Sequence, residues 1–397
     1  MPPRRLLLLF TAVFFAPLAQ SASVLVLPFH NESQYADVTW VGEGIAEVLR
    51  TEFSTANLIV LDRDSRAEGL RRLSLRRDAL WTKASLIRLG QTLDVDYICY
   101  GTYEVTLSPG TTDLRTSSVR IAAHFIDLRK MHDGPELSEA GALPDLSRLE
   151  EHLAWQSLKF LTPGTSRPIE QFMSPQKLVR LDAQESYVRG LLSPTGEQQQ
   201  KWFAQAALLD PHYSNPVLEL GKLALARHDY RQAISWLQRI VPTDPVYDQA
   251  RFKMGQSSYY TGDYNGAIIQ FRLVAAKYPL NEVYNNLAAA EMQLNQPAAA
   301  DDLRRALEGY ANDPIYQFNQ GIALLKSDRF DEAAARFQTL LDASPSDADA
   351  RTLLERAQSR QPVTSSAKLT VPARLKQSYD ETAFRQMKSM FPENGGK

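Results

Sequence analysis

Six histidines are the residues of this chain that could most readily bind a metal ion or exchange protons near neutral pH. They are His30, His124, His132, His152, His212 and His228. None belongs to an H-E-x-x-H or other closely spaced pair of metal ligands, and neither a G-x-S-x-G elbow nor a Walker loop occurs. His124 and Asp127 lie three residues apart in a strand-like run and would face each other only by accident. We therefore predict no catalytic residue and no metal site, and we expect the protein not to be an enzyme.

Two glycines, Gly42 and Gly44, precede a helix-like segment and could indicate a phosphate-binding loop. A dinucleotide-binding loop needs a third glycine and follows a strand directly. Here the third position is Glu47, and more than ten residues separate Gly42 from Phe29 at the end of the preceding strand. We therefore predict no nucleotide and no other cofactor, and we expect both glycines to relieve crowding where a helix crosses a sheet.

The composition limits the classes of function further. A formal net charge of −2 gives no electrostatic basis for nucleic-acid binding. The single cysteine, Cys99, cannot form an internal disulfide, and its strand-like surroundings favour a buried apolar role over a reactive thiol. The fold must therefore depend on apolar burial, which a chain of 397 residues in two or three domains can supply.

Small residues recur at a nearly fixed interval in the second half of the chain. Gly221, Gly255, Ala288 and Gly321 follow one another at a spacing that matches helical repeats of roughly 34 residues. Each is followed by an alanine after twelve residues and by another side chain four residues later, and each unit closes near a proline. These later positions are Ala233, Ala267, Ala300 and Ala333, then Leu237, Phe271, Arg304 and Phe337, then Pro245, Pro279, Pro314 and Pro345. This order is typical of the tetratricopeptide repeat.

The repeat has a physical reason at each position. Gly255 and Ala267 would let two helices approach closely, while Phe271 fills the space beside the contact. We predict an all-α right-handed solenoid over residues 178–360, with about five repeats and a cap helix. The first unit lacks a glycine in phase, because Tyr187 stands at that position. The tail, residues 361–397, is expected to be mobile with a short helix, or to dock back or bind a partner through Tyr379, Phe384, Met387 and Phe391.

The resemblance to tetratricopeptide domains implies a concave groove lined by the first helix of each unit. The lining it predicts is mostly uncharged and partly apolar, without the Lys/Asn/Arg clamp that holds a terminal carboxylate in chaperone-binding relatives. Such a groove would take an extended or helical apolar segment of a protein or peptide ligand. Alternatively, some of these side chains pack only between repeats or against the tail. The predicted groove residues are Asn215, Leu218, Lys222, Gln249, Phe252, Gln256, Tyr259, Asn285, Met292 and Phe318.

The chain opens with a stretch that is typical of a secretory signal peptide. Arg4 and Arg5 form its charged part, an apolar run covers residues 6–19, and small residues follow near Ala22. The run is shorter than the roughly 20 residues that span a bilayer, so we predict cleavage of residues 1–22 and no transmembrane segment afterwards. An uncleaved membrane anchor is the alternative. The absence of a cysteine just after the run argues against a lipid anchor there.

Residues 23–163 alternate between strand-like and helix-like segments. Their order, β-α-β-α-β-β-α, predicts an α/β domain with a mixed sheet covered by helices. Residues 131–144 are rich in Gly, Pro and acidic residues and are expected to form a loop. The strand-like segments are 23–29, 57–63, 95–107 and 117–130, and the main helix-like segments are 41–53, 82–93 and 145–161.

Several motifs of this domain resemble one family of envelope proteins. They are "VLVLPFHNES", "VGEGIAEVL", "LIVLDRD", "ASLIRLGQTLDVDYICYGTYEV" and "VRIAAHFIDL". From Val24 to Leu128 the chain is similar to the amino-terminal domain of TolB and to periplasmic proteins of the FlgO and curli-secretion type. The resemblance implies protein–protein contact in the envelope. Repeats replace the β-propeller that follows this domain in TolB.

These observations together predict a chain of five parts: a signal peptide (1–22), a TolB-like α/β domain (23–163), a proline-rich linker (164–177), the repeat array (178–360) and the tail (361–397). We expect an exported scaffold, periplasmic or associated with the outer membrane of a Gram-negative bacterium. Its groove would bind one protein partner and its α/β domain an envelope protein, without nucleic acid. The alternatives are an oligomeric component of an outer-membrane secretion or envelope-assembly machine and, third, an enzyme.

Overall fold

The computed structural model describes residues 22–76, 79–110, 116–164, 167–173, 178–361, 371–380, 383–384 and 387. The predicted signal peptide up to residue 21 and Phe391 lie outside these described residues. A mixed sheet with helices is followed by a series of helix pairs, which confirms the predicted fold class.

The N-terminal domain is built on a six-stranded sheet in the order β3-β1-β4-β5-β6, with β2 paired to β4. The contacts of β1 with β3 and β4 are parallel, whereas β4, β5 and β6 form an antiparallel meander. The strands are β1 (Ser23–Val26), β2 (His30–Asn31), β3 (Ile59–Val60), β4 (Tyr97–Thr106), β5 (Ser118–Asp127) and β6 (His132–Ala142).

Helices cover both faces of this sheet, as the apolar sequence of β1 predicts. Val24 and Val26 join the cluster that contains α1 and α4, while Leu25 and Leu27 join the cluster that contains α2 and α3. Cys99 is fully buried in the first cluster, and burial raises the pKa of its thiol far above the ordinary value. The helices are α1 (Trp40–Thr55), α2 (Arg63–Arg72), α3 (Lys83–Thr92) and α4 (Leu146–Leu161), with short 3-10 turns at Ala36–Val38 and Leu143–Asp145.

The expectation of a loop over residues 131–144 is wrong. Strand β6 pairs with β5 in antiparallel fashion from Ser118 opposite Ala142 to Asp127 opposite His132, with one irregularity near His124. Most of its side chains are exposed or half-exposed. An edge strand with a solvated face needs no apolar run, so glycine, proline and acidic residues are tolerated there and conceal it.

Close backbone contact explains one of the two glycines near the start of α1 but not the other. A Cβ at Gly42 would lie 2.1 Å from the carbonyl oxygen of Phe29, so no other residue fits without moving the backbone. A Cβ at Gly44 would lie no closer than 3.5 Å to its neighbours, an ordinary contact. The predicted role in relieving crowding therefore holds for Gly42 alone.

The repeat array consists of paired helices and a final helix, and its small residues lie at the predicted contacts. Cβ atoms added at Gly221, Gly255 and Gly321 would come within 2.7 Å of the in-phase Leu237, Phe271 and Phe337 respectively. The pairs are α6 (Leu181–Leu192) with α7 (Gly196–Leu209), α8 (Ser214–Ala226) with α9 (Tyr230–Leu237), α10 (Tyr247–Thr261) with α11 (Tyr264–Lys277), α12 (Asn281–Gln293) with α13 (Ala299–Gly309), and α14 (Pro314–Lys326) with α15 (Phe330–Ala343), followed by α16 (Ala348–Gln358).

The phase of two repeats differs from the prediction. On α13, Ala299 and Leu303 are buried while Ala300 and Arg304 are exposed, because the buried alanine follows Ala288 by eleven residues instead of twelve. In the first repeat the close contact is made by Gly190, where a Cβ would lie 2.4 Å from the Phe203 ring. The first unit therefore has its glycine, three residues after Tyr187.

The predicted linker joins two units that share one apolar core. A single cluster extends from Val24 in the sheet to Met254 on α10. On α6, the side-chain amide of Gln184 donates a 2.7 Å hydrogen bond to the carboxyl group of Glu150 on α4, and both side chains are buried. Within the predicted linker lies the short helix α5 (Ile169–Phe172). The α/β domain and the first repeats therefore pack as one body.

Candidate functional site

The concave face of the array holds part of the chain's own C-terminus. We call residues 371–380 the tail segment. Its buried residues Val371, Ala373 and Leu375 alternate with exposed or half-buried neighbours, as in an extended strand. The segment contacts helices α10, α12 and α14, the first helices of three successive repeats. The tail segment thus lies against the surface where the sequence predicts the groove.

Two asparagines each pair with the backbone of one tail residue. Asn319 donates to the carbonyl oxygen of Arg374 at 2.7 Å and accepts from the Arg374 amide at 2.7 Å. Asn286 donates to the carbonyl oxygen of Lys376 at 3.0 Å and accepts from the Lys376 amide at 2.7 Å. A side-chain amide suits this task because it has both a donor and an acceptor. Alternate residues of the tail segment are thus bound through atoms that every residue except proline possesses.

A third asparagine links these two pairs. Asn285 accepts from Asn319 at 2.8 Å, donates to Asn286 at 3.1 Å and donates to the carbonyl oxygen of Arg374 at 3.1 Å. All three asparagines are fully buried. Their amides are therefore fixed by one another, with the backbone of Arg374 and Lys376 completing the bonding.

Two carboxylates bind the cationic side chains of the tail segment. Asp347 accepts two hydrogen bonds from the Arg374 guanidinium, at 2.7 and 2.8 Å, and the guanidinium carbon lies 3.6 Å from the centre of the Phe318 ring. The bond from Arg374 lowers the pKa of Asp347. Asp313 accepts a 2.7 Å hydrogen bond from the Lys376 ammonium. Both cation sites are therefore built from an acid and an aromatic face, since the Lys376 ammonium lies 5.3 Å from the centre of the Tyr316 ring.

Aromatic side chains form the far end of the groove. The ring of Tyr379 lies edge-on to Phe252, with 5.0 Å between ring centres. Phe384 contacts Tyr379 at 5.0 Å and Tyr278 at 4.4 Å between ring centres. All of these rings are buried. Between Arg374 and Tyr379 the contacts of the tail thus pass from the start of α16 to α10, opposite to the order of the repeats in the sequence.

The predicted groove residues fall into two groups. Phe252, Gln256, Tyr259, Asn285 and Phe318 contact the tail, with Gln256 donating to the carbonyl oxygen of Lys376 and Tyr259 to that of Ala373. Met292 is buried in the apolar cluster that also contains Phe252, Tyr259 and Phe318. The other group, Asn215, Leu218, Lys222 and Gln249, lines a cleft of about 1320 Å³ that also includes residues of the α/β domain.

Ion pairs on α1 and α2 form the wall of the cleft opposite the repeats. Glu43 accepts two hydrogen bonds from Arg66, at 2.8 and 3.0 Å, and lies 3.1 Å from the Arg63 Nε. Burial opposes ionisation of Glu43, but these arginines bring its pKa below the ordinary value. Burial raises the pKa of the neighbouring Glu47. Both walls of the cleft thus carry polar and charged groups.

Several residues that bind the tail segment are not among those predicted, and they include Asn286, Asn319, Asp313 and Asp347. For the last three a signal exists in the sequence. Asn319 follows Asn285 by the length of one repeat, and Asp347 follows Asp313 by the same interval. Recurrence of a polar residue at this interval on the first helix, or at its start, could have identified them.

His124 and Asp127 both lie on β5, where they have different partners. The His124 ring is tilted against the Tyr100 ring, with 5.4 Å between ring centres, and its Nδ1 lies 3.9 Å from Glu136. Asp127 is buried and accepts from the backbone amides of Arg129 and Lys130 at 3.0 Å, as a turn-stabilising residue does. Within the described ranges, no three His, Cys, Asp or Glu side chains are placed to share a metal ion. Among the described helices, none has both the length and the apolar character needed to cross a membrane.

Comparisons with known proteins concern the fold. No curated protein matches the chain significantly in sequence. YrrB, described as a TPR protein with an unusual peptide-binding site, is 18% identical, with 48% of this chain and 93% of that chain covered and a TM-score of 0.34. The C-terminal domain of LpoB from Salmonella enterica is 12% identical, with 32% and 85% covered and a TM-score of 0.23. A lipoprotein from Neisseria meningitidis is 20% identical, with 30% and 80% covered and a TM-score of 0.23.

The profile of one sequence family matches the second half of the chain. Residues 218–282, 286–348 and 318–358 match the family described as tetratricopeptide repeat. The matched stretches begin on α8 and extend through α16, and they contain Asn286 and Asn319 of the groove, while Asn285 lies between two stretches. Paired helices with a small residue at each crossing are therefore tetratricopeptide repeats in this part of the chain.

Proposed function

We propose that this protein is a non-enzymatic scaffold that joins protein partners in the envelope of a Gram-negative bacterium. One partner binds the concave groove as an extended segment, and a second binds the α/β domain. The pairing of Asn286 and Asn319 with the backbone of alternate residues carries the proposal. Such pairing accepts an extended polypeptide of many sequences, as binding proteins for peptides require.

The cleft supports a partner that reaches beyond the part of the groove occupied by the tail. Asn215, Lys222 and Gln249 lie on helices α8 and α10 and face this space of about 1320 Å³. Since the α/β domain and the first repeats share one apolar core, the cleft has fixed walls. A partner segment could therefore contact both parts of the protein at once.

The envelope location rests on two features of the sequence. The first is the charged and apolar stretch at residues 1–22, and the second is the resemblance of residues 24–128 to periplasmic proteins. Fractionation of cells and N-terminal analysis of the isolated protein test this part. A mature N-terminus near residue 23 in the periplasmic or outer-membrane fraction is expected. A cytosolic protein that retains Met1 would contradict it.

Site-specific photo-crosslinking in the native cell tests the scaffold itself. A photoreactive residue in place of Lys222 faces the cleft, whereas the same residue in place of Ile269 on α11 lies exposed on the second helix of a repeat. We expect Lys222 to capture one defined envelope protein, identified by mass spectrometry, and Ile269 to capture none. Equal capture at both positions, or at neither, would refute the proposal. Capture only of further copies of this chain would instead favour a ring-forming secretion component.

A further inference from the structure

The tail segment is bound to the groove in the way that a separate ligand would be. It adds no helix to the array, and between Val371 and Tyr379 its backbone is bonded by side chains of the groove. Residues 362–370, which join it to the cap helix, lie outside the described residues. The groove therefore has an occupant of known chemistry, which indicates what else it would bind.

We propose that the tail segment is an intramolecular ligand that competes with the partner for this groove, and that the partner segment shares its chemistry. That segment is extended and carries an arginine and a lysine two residues apart, with small or apolar residues at the alternating positions. This inference rests on the proposed function, since it specifies the ligand of the same groove.

The order of the two cations follows from the acids that receive them. Asp347 offers both carboxylate oxygens to the planar guanidinium, and the Phe318 ring covers the flat face of that group. An ammonium group cannot reproduce this two-point contact. Asp313 offers a single oxygen to Lys376 at 2.7 Å. Asp347 and Asp313 thus select the arginine and the lysine, whereas the asparagines bind backbone atoms and do not depend on the side chains of the ligand.

Both acids are held in place whether or not the groove is occupied. Asp347 accepts from the backbone amide of Ala350 at 3.0 Å and so caps α16. Asp313 accepts from the amide of Ile315 at 2.9 Å and caps α14. Because the caps fix both carboxylates, an incoming segment would meet a preformed site after the tail leaves.

Competition from the tail lowers the apparent affinity for any partner. A ligand that is covalently joined to its own binding protein through a few residues acts at an effective concentration of about millimolar. A partner of the same intrinsic affinity must therefore exceed that concentration, or the tail must be weakened first. Substitutions that weaken the docking of the tail should therefore increase the affinity of the groove for a separate peptide. If the tail only stabilised the array, the same substitutions would lower that affinity.

A peptide of the sequence VPARLKQSYD, labelled with a fluorophore, tests this in the full-length protein. The tail variant carries Arg374→Ala and Lys376→Ala, which removes both cations and leaves the groove unchanged. We expect this variant to bind the peptide at least about tenfold more tightly than the wild-type chain does. A peptide in which the arginine and the lysine are replaced by glutamate is the matched control and should bind neither protein.

A second variant shows where the peptide binds. Adding Asp313→Asn and Asp347→Asn to the tail variant removes both acids but keeps both helix caps, since asparagine caps helices as well as aspartate does. The gain in peptide affinity should then disappear. Equal peptide affinity of the wild-type chain and a folded tail variant would overturn the inference. So would a concentration-dependent dimer of the wild-type chain that the tail variant does not form, because the tail would then bind a second copy.

Hydrogen exchange on the wild-type protein gives an independent test if the tail variant does not fold. The amides of Arg374 and Lys376 should exchange faster when excess unlabelled VPARLKQSYD peptide is added, since it displaces the tail. Exchange of these amides only through global unfolding, with or without peptide, would overturn the inference. Peptide binding as expected, together with failure to crosslink any envelope protein at Lys222, would instead refute the proposed function alone.

Discussion

Asp313 and Asp347 occupy equivalent positions one repeat apart, each capping a helix and each binding one cation of the tail segment. Each carboxylate thus has two tasks, one in the stability of its helix and one in recognition. A substitution that separates these tasks is more informative than an alanine, which would abolish both.

Asp347→Asn should retain the cap on α16 and remove the ion pair with Arg374. We expect the amides of the tail segment to exchange a few-fold faster, while the midpoint of global thermal unfolding stays nearly unchanged, because the ion pair is partly exposed. Hydrogen exchange followed by mass spectrometry measures the effect. Asp301→Asn, an exposed acid on α13 outside the groove, is the control and should leave tail exchange unaltered.

Acid should release the tail in the same way. The hydrogen bond from Arg374 lowers the pKa of Asp347 below its ordinary value of 3.8. The ion pair therefore stabilises the docked tail fully above about pH 3.8, and this stabilisation is lost as the pH falls through the lowered pKa. Wild-type tail exchange, corrected for its intrinsic pH dependence, should therefore approach that of Asp347→Asn only below about pH 4. A loss of tail protection already between pH 7 and 5 would contradict this assignment.

Glu150 should make the protein less stable as pH rises. Burial raises the pKa of Glu150 to about 8, against an ordinary value of 4.5. Between these values the folded chain keeps a proton that the unfolded chain has lost, so the free energy of unfolding falls by up to about 1.4 kcal/mol per pH unit. Glu150→Gln should abolish this slope in denaturant titrations at pH 5, 6.5 and 8. The exposed Glu104→Gln on β4 should leave the slope in place.

Ala267→Leu should overpack the helix crossing of the central repeat, because Ala267 is fully buried against its partner helix. We expect a loss of about 1–3 kcal/mol in the free energy of unfolding. Ala276→Leu adds the same volume to an exposed position of the same helix, α11, and should change stability by less than about 0.5 kcal/mol. Similar midpoints of thermal unfolding for the two variants would show that the assigned phase of the repeat is incorrect.

Gly42→Ala and Gly44→Ala should have opposite effects although both lie on α1. The Cβ of the first would lie 2.1 Å from the Phe29 carbonyl oxygen, so the strand or the helix must move, and we expect a loss of at least about 3 kcal/mol. The second meets no close atom, and alanine should stabilise the helix by about 0.5–1 kcal/mol. In thermal unfolding, the midpoint should fall for Gly42→Ala and rise for Gly44→Ala, and a shift of both variants in the same direction would contradict this assignment.

The repeat array could be predicted from the sequence because the spacing of its small residues directly reflects helix crossings. Gly255 and Phe271 meet as expected. Where a unit changes length, as before Ala299, counting from an earlier repeat places the wrong residue in the core. Strand β6 was concealed for a different reason: none of its residues is fully buried, and the half-buried ones depend on α4, which comes later in the chain.

The groove was predictable in part. Its buried aromatic and amide residues lie where tetratricopeptide domains place them, but Asn319 and Asp347 acquire their role only through a segment that follows them in the chain. The docking of the tail depends on Arg374 and Lys376 meeting acids one repeat apart in three dimensions. Helical periodicity does not encode such a long-range match, so the sequence left docking and mobility as alternatives.

The shared core between the sheet and the first repeats has a mechanical consequence. Since Gln184 and Glu150 lie in one buried contact across the junction, the concave surface cannot swing relative to the α/β domain without breaking it. If each part binds a partner as proposed, this contact would hold the two partners at a set distance and angle. Variation in reach must come from the partners' own segments.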